Sequence, residues 1–167
     1  MDILVDTSTQ VLRIGEQEYR CAIGKNGTVP ACDGREGDGK TPLGTYKLRH
    51  GMFRTDKTAR PETELQFWQI RRSDGWCDDP KDGAYNRPVR LPYIGGAEKL
   101  WRDSHVYDII VVLGHNDSPP IPGMGSAIFL HIARDGYAPT EGCVAVSMRD
   151  MLSILRLVDA NSSIEIR

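Results

Sequence analysis

Ser126-Ala-Ile-Phe-Leu-His-Ile-Ala-Arg-Asp-Gly-Tyr-Ala-Pro-Thr-Glu-Gly-Cys-Val-Ala-Val146 holds two apolar, strand-like runs joined by a polar loop. Ile128, Phe129 and Leu130 lead into His131, and Val144 and Val146 follow Cys143. Asp135-Gly136 and Pro139-Thr140 supply turn chemistry between them. If the two runs pair as neighbouring strands, an imidazole and a thiol face each other. A thiol is a weak nucleophile until deprotonated, and an adjacent imidazole is the usual means of making it a thiolate near neutral pH. Gly142, which has no Cβ, would let a substrate carbonyl approach the Gly142 and Cys143 amides, the candidate oxyanion donors. Two other readings of the same residues stay open at this point. Free cysteine is often buried and inert, and Cys and His also serve zinc, here through His115, His131 and Cys143.

The order His131, loop, then Thr140-x-Gly142-Cys143-Val144 resembles the catalytic domain of the L,D-transpeptidases, the YkuD-type cysteine enzymes of bacterial peptidoglycan. Gly37-Asp-Gly-Lys-Thr-Pro-Leu-Gly-Thr-Tyr46 is similar to the Thr-Pro-x-Gly-x-aromatic segment that begins a core strand in these domains. Two matched segments in the right order are far more specific than either alone. The resemblance implies Cys143 as nucleophile, His131 as base and Thr140 as the Ser/Thr of the motif. Gly-Cys-Val-Ala together with Gly114-His-Asn-Asp117 resembles one subgroup over nearly the whole chain. Most members carry Gly after the histidine and Arg two residues after the cysteine, where this chain has Ile132 and Ala145. The spacing of twelve residues between His131 and Cys143 is also shorter than is common. Without that guanidinium, a planar fork suited to carboxylates is missing from its usual place.

A length of 167 residues fits one domain, 1–167, able to bury a core without disulfides or metals. Apolar residues at 40%, charged residues at 26% and a net charge of −2 describe an ordinary globular chain. Neither a basic excess nor an aromatic-basic array points to nucleic acid. No apolar run approaches the roughly 18 residues of a membrane span. Met1 to Asp6 lacks the basic start and apolar core of a secretion signal, while the resemblance implies the cell envelope or periplasm. Cys21, Cys32, Cys77 and Cys143 include no C-x-x-C pair. With Cys143 reduced, the other three cannot all pair, and no disulfide is predicted.

Ile3 to Val5, Gln10 to Ile14 and Glu18 to Ile23 read as a three-strand meander. Cys32 to Lys40 reads as a loop, Thr45 to Arg49 as a strand, and 50 to 64 as a solvated connection. Gln66 to Arg71 reads as another strand. Trp76 and Tyr85, flanking acidic and amide residues, either wall a substrate groove or pin a turn-rich loop into the core. Asp78, Asp79 and Asp82 lack calcium-loop spacing, so no metal is expected there. Ala97 to Arg102 reads as a short helix. Tyr107 to Leu113, the most apolar run, reads as a buried central strand. It delivers His115, which would contact substrate, act as a second base or anchor a loop. Ser147 opens a core-packing helix with a capping-box-like start, and Ser163 to Arg167 reads as a final edge strand.

The expected fold is mainly β, a sandwich of curved sheets with one or two short helices, its architecture implied by the resemblance. The implied reaction is attack of Cys143 on an L-centre to D-centre amide of a stem peptide. The resulting thioester is resolved by an acceptor amine, or by water in a carboxypeptidase or endopeptidase. A wall-binding module with an inert Cys143 is the non-enzymatic alternative. Papain-like and NlpC/P60-type peptidases place the nucleophile before the histidine, the reverse of the order here. No cofactor is implied, and the expected partners are peptidoglycan stem peptides met by a monomer. A backbone carbonyl, Asp117 or Asp135 would orient His131.

Overall fold

Alternating burial along the apolar runs sets which way each strand faces, because successive side chains of a strand point to opposite sides. The computed structural model covers residues 1–167. Its first strands are β1 (Ile3–Asp6), β2 (Val11–Ile14), β3 (Gln17–Arg20) and β4 (Thr28–Pro30). A long β5 (Thr41–Phe53) follows, then β6 (Phe67–Gln69), β7 (Asp74–Cys77), β8 (Pro88–Arg90) and β9 (Ala97–Lys99). The remaining elements are β10 (Ile109–Leu113), β11 (Phe129–Ile132), β12 (Val144–Val146), α1 (Met148–Leu155) and β13 (Ser163–Ile166).

Ten strands form one curved sheet in the order β12-β11-β10-β5-β13-β1-β2-β3, with β4 and β6 also paired to β5. A separate sheet has the order β8-β7-β9. The strands β10, β11 and β12 are buried on both faces, which explains the unbroken apolar run from Ile109 to Leu113. Val111, Leu130, Val144 and Val146 pack toward the helix residues Met151, Ile154 and Leu155. Ile110, Val112, Phe129 and Cys143 face the other way, toward Trp76, Leu100 and Tyr107. Each such apolar side chain contributes roughly 1.5–3 kcal/mol on burial, so the central strands are held firmly between two layers. The fold is mainly β with one α-helix. The Ser147 hydroxyl accepts from the Asp150 N–H at 3.1 Å, capping that helix as its sequence implies.

Three sequence expectations are corrected. Ala97 to Arg102 is not a helix: Ala97–Lys99 pairs antiparallel with β7, Trp76 opposite Glu98. Six residues are too few to sustain an isolated helix, whereas the β7 ladder satisfies their backbone. Ser163–Ile166 is not an edge strand, for it lies between β1 and β5 and bonds to both. Residues 50 to 64 are not wholly a solvated connection. β5 continues through Phe53, and Arg54 is buried, its guanidinium 3.6 Å over the Trp101 ring and bonded to Asp56 at 2.8 Å. An arginine stem and a stacked guanidinium bury readily when the charge is paired.

Candidate active site

β11 and β12 pair in parallel, with Leu130 opposite Val144 and His131 opposite Ala145. This register places Cys143, just ahead of β12, beside Phe129. Because side chains alternate, Cys143 and His131 point to the same face of strands roughly 4.8 Å apart. Both line one cavity of about 280 Å³, which Tyr107, Glu98, Arg102 and Arg134 also border. A larger groove of about 1020 Å³ beside His50 and Trp68 contains neither, and chemistry rather than size identifies the site.

The chain holds both reactive groups in place. Cys143 Sγ accepts from the Phe129 N–H at 3.3 Å and donates to the Ala127 carbonyl at 3.2 Å. His131 Nδ1 lies 2.9 Å from the Ile132 carbonyl. A carbonyl only accepts, so Nδ1 carries the proton and Nε2 is the basic nitrogen. Asp117 is instead tied to Arg49 at 2.7 and 3.0 Å, and Asp135 is exposed. The Tyr107 ring packs edge-on against the imidazole at 5.4 Å.

Burial dominates the ionisation of the pair. It pushes the Cys143 thiol up to about 12, against the opposing bond from the Phe129 N–H. It pulls His131 down to about 4; the Ile132 carbonyl opposes this, while the Arg102 and Arg134 charges reinforce it. Burial thus favours the neutral thiol and imidazole over the separated charges of a thiolate and an imidazolium. The cause is the burial of the two side chains, since a charge taken out of water loses its solvation.

The motif's turn has its own internal logic. Thr140 Oγ1 donates to the Cys143 carbonyl at 2.6 Å and accepts from the Gly142 N–H at 3.1 Å. Thr140 is buried at the cavity's edge, and its hydroxyl proton and one of its two lone pairs are spent on the turn. The Gly142 N–H is thereby occupied, and the Cys143 N–H has no acceptor within the chain. One oxyanion donor of the two expected is thus free. Gly142 has φ +140, and a Cβ there would lie 2.8 Å from the Lys40 carbonyl. The Gly-rich loop before β5 packs directly under the turn and requires glycine.

Trp76 and Tyr85 are both buried. Trp76 Nε1 donates to Asn86 Oδ1 at 2.9 Å and its ring packs on Phe129 at 5.2 Å. The Tyr85 hydroxyl donates to Glu36 and accepts from the Gly125 N–H at 3.0 Å. They pin the loops around the cavity from behind. His115 is buried against Tyr46 at 5.3 Å, with Nε2 3.3 Å from the Met124 carbonyl, and lines a different cavity. No three His, Cys, Asp or Glu side chains come close enough to hold a metal ion, so His115, His131 and Cys143 do not converge. All four cysteines are free thiols.

Asn86 is the residue that sequence reading missed. Buried and at φ +55, it satisfies its whole amide. Oδ1 accepts from Trp76 and from the Ala127 N–H at 3.1 Å, and Nδ2 donates to the His115 and Asn116 carbonyls at 3.1 and 2.8 Å. It fixes Ala127, whose carbonyl receives the Cys143 thiol. Its place between Tyr85 and a Pro-containing turn was visible, but its distant partners were not.

The sequence profile of the YkuD L,D-transpeptidase catalytic domain matches residues 1–166. Among solved structures, the chain is similar to Bd1075 of Bdellovibrio bacteriovorus at 20% identity and a TM-score of 0.47, covering 99% of this chain and 47% of that one. It is also similar to L,D-transpeptidase 1 of Mycobacterium tuberculosis at 12% identity and a TM-score of 0.45, covering 99% and 60% respectively. The chain thus spans about half the length of these relatives. No curated protein matches it.

Proposed function

The chain belongs to the YkuD family of L,D-transpeptidase catalytic domains, and on that premise we propose that it transfers acyl groups between peptidoglycan stem peptides. The observation that carries this reading is the shared cavity of Cys143 and His131, with Nδ1 held by the Ile132 carbonyl so that Nε2 is left basic.

In the proposed reaction the Cys143 sulfur attacks the carbonyl carbon of an L-centre to D-centre amide. The thiol proton leaves the Ala127 carbonyl and passes to His131 Nε2 during attack, since burial disfavours a standing thiolate. The C–S bond forms, and the tetrahedral oxygen takes its hydrogen bond from the Cys143 N–H. Collapse breaks the C–N bond, and His131 gives the proton to the departing amine. An acceptor amine then attacks the thioester and loses its proton to His131. The C–S bond breaks, and the proton returns to sulfur. Water in place of the amine yields a shortened stem and no cross-link.

We place this work in the cell envelope, where stem peptides occur, and expect a monomer to carry it out. Digestion of purified muropeptides with and without excess acceptor amine, followed by mass mapping, tests the proposal. New dimers support transfer, and shortened stems alone would assign hydrolysis. Unchanged muropeptides would overturn both.

A further inference from the structure

The groove of about 1020 Å³ beside His50 and Trp68 lies outside the catalytic cavity. All of β6 and all of β8 line it, and each is an outermost strand: β6 pairs only with β5, and β8 only with β7. Unpaired strand edges are templates for a further strand. The Gln66 carbonyl accepts from the Gly51 N–H at 2.8 Å, and the Ile70 N–H donates to the Phe53 carbonyl at 2.8 Å. Backbone groups alternate in direction along a strand, so those of Phe67 and Gln69 point away from β5. On β8 the Arg87 carbonyl and the Leu91 N–H face β7, which turns the backbone of Pro88 and Arg90 outward. Proline has no N–H, so β6 is the edge that keeps all its donors. That edge is also firmly seated, because the buried Phe67 ring covers Gly51, where any Cβ would collide with it.

The side chains of the groove select the chemistry of an added strand. Met52 and Leu100 line it with buried apolar surface. Trp68, 52% exposed, stands edge-to-face on His50 at 4.5 Å and presents its indole to solvent. The charged residues lining the groove are Arg60, Arg71, Arg90 and Asp74. Asp74 is spent within the chain, accepting from the Arg90 guanidinium and from the Arg71 N–H at 2.7 Å. Arg60 and Arg71 are exposed, and neither guanidinium has an acceptor in the chain. The groove is thus a cationic patch on a chain of net charge −2. Free guanidinium groups are matched to carboxylates, and Trp and Arg are the side chains that anchor protein interfaces.

We propose that this groove docks a protein partner through an extended acidic segment that adds as a strand to β6, with its carboxylates on Arg60 and Arg71 and its apolar side chains against Trp68 and Met52. Side chains of a strand alternate in direction, so the segment alternates acidic and apolar residues. An acidic sugar would satisfy the arginines and the indole but leave the outward backbone of Phe67 and Gln69 unused, which favours a peptide. Strand addition takes its affinity from main-chain bonds and its specificity from alternate side chains. The site does not depend on the acyl-transfer reading.

Fluorescence anisotropy with the full chain tests the proposal. The probes are a short labelled peptide alternating Glu with Val and Leu, its Lys-for-Glu counterpart, versions N-methylated at alternate residues in either register, and an oligogalacturonate of equal charge. The Glu peptide should bind, and the Lys peptide about tenfold more weakly or worse, since two attractive contacts become repulsive. At least one N-methylated register should also lose about tenfold, as expected when main-chain bonds are removed. Binding should slow amide hydrogen exchange at Phe67 and Gln69. Trp68→Ala should weaken binding about tenfold, and Arg60→Gln and Arg71→Gln about threefold each. All three side chains are exposed, and thermal unfolding checks that the variants stay folded. Cys143→Ala should bind the peptide as the unsubstituted chain does, which separates this groove from the catalytic cavity. No binding of the Glu peptide, undiminished binding of both N-methylated registers, preference for the oligogalacturonate, or a loss on Cys143→Ala would each overturn the proposal.

Discussion

Replacing Asn86 by leucine removes an amide that meets four buried partners. Trp76 Nε1 and the Ala127 N–H lose their acceptor, and the His115 and Asn116 carbonyls lose a donor. An orphaned buried donor costs about 1–3 kcal/mol, so the two donors alone give roughly 2–6 kcal/mol. The carbonyls add less, because each retains a second lone pair. Asn86 also sits at φ +55, where a leucine costs about 1–2 kcal/mol more than an asparagine that tolerates this region. Asn86→Leu should therefore destabilise the fold by about 5 kcal/mol in urea unfolding followed by tryptophan fluorescence. The variant should also lose turnover under conditions where it remains folded, since Ala127 no longer holds the thiol hydrogen. A loss below about 1 kcal/mol would refute the claim that this amide organises the loops behind the cavity.

Three further outcomes follow from the site. His131 is held near 4, below its unfolded value of about 6.5. The unfolded chain therefore binds a proton that the folded chain refuses, and stability falls as pH drops from about 6.5 to 4, by about 3 kcal/mol for this group. His131→Gln should flatten that part of the pH-stability curve relative to the unsubstituted chain, as read by urea titrations across the range. Gly142→Ala should cost about 2 kcal/mol or more, because its Cβ meets the Lys40 carbonyl at 2.8 Å from a φ of +140; thermal unfolding measures this. Thr140→Val should orphan the Gly142 N–H and lower kcat more than KM in steady-state assays, by roughly tenfold if misalignment of the turn costs about 1.4 kcal/mol in the transition state.

Local pattern carries the parts of this fold that depend on neighbours in sequence. The β1-β2-β3 meander, the apolar β10 and the capped helix after Ser147 are of this kind, and so is the common face of His131 and Cys143 once their runs pair. Nonlocal choices are illegible for a physical reason. Ala97 to Lys99 has helix-compatible residues, and only the presence of β7 makes it a strand. Ser163–Ile166 looks like a terminus free to fray, yet two strands more than a hundred residues upstream enclose it. Arg54 and Arg102 resemble surface charges until Trp101 and Tyr107 are seen beneath them. The burial of the pair was likewise hidden, since residue identity gives a thiol its partner but not the depth at which the fold seats it.

Intact mass spectrometry of the enzyme quenched during turnover of a stem tetrapeptide tests the central claim most directly. The account predicts a covalent adduct equal to the peptide less its leaving residue, mapped by peptide digestion to Cys143 and absent from Cys143→Ala, with His131→Ala slowing its formation. Turnover by the Cys143→Ala chain, or an acyl adduct on any other residue, would contradict it.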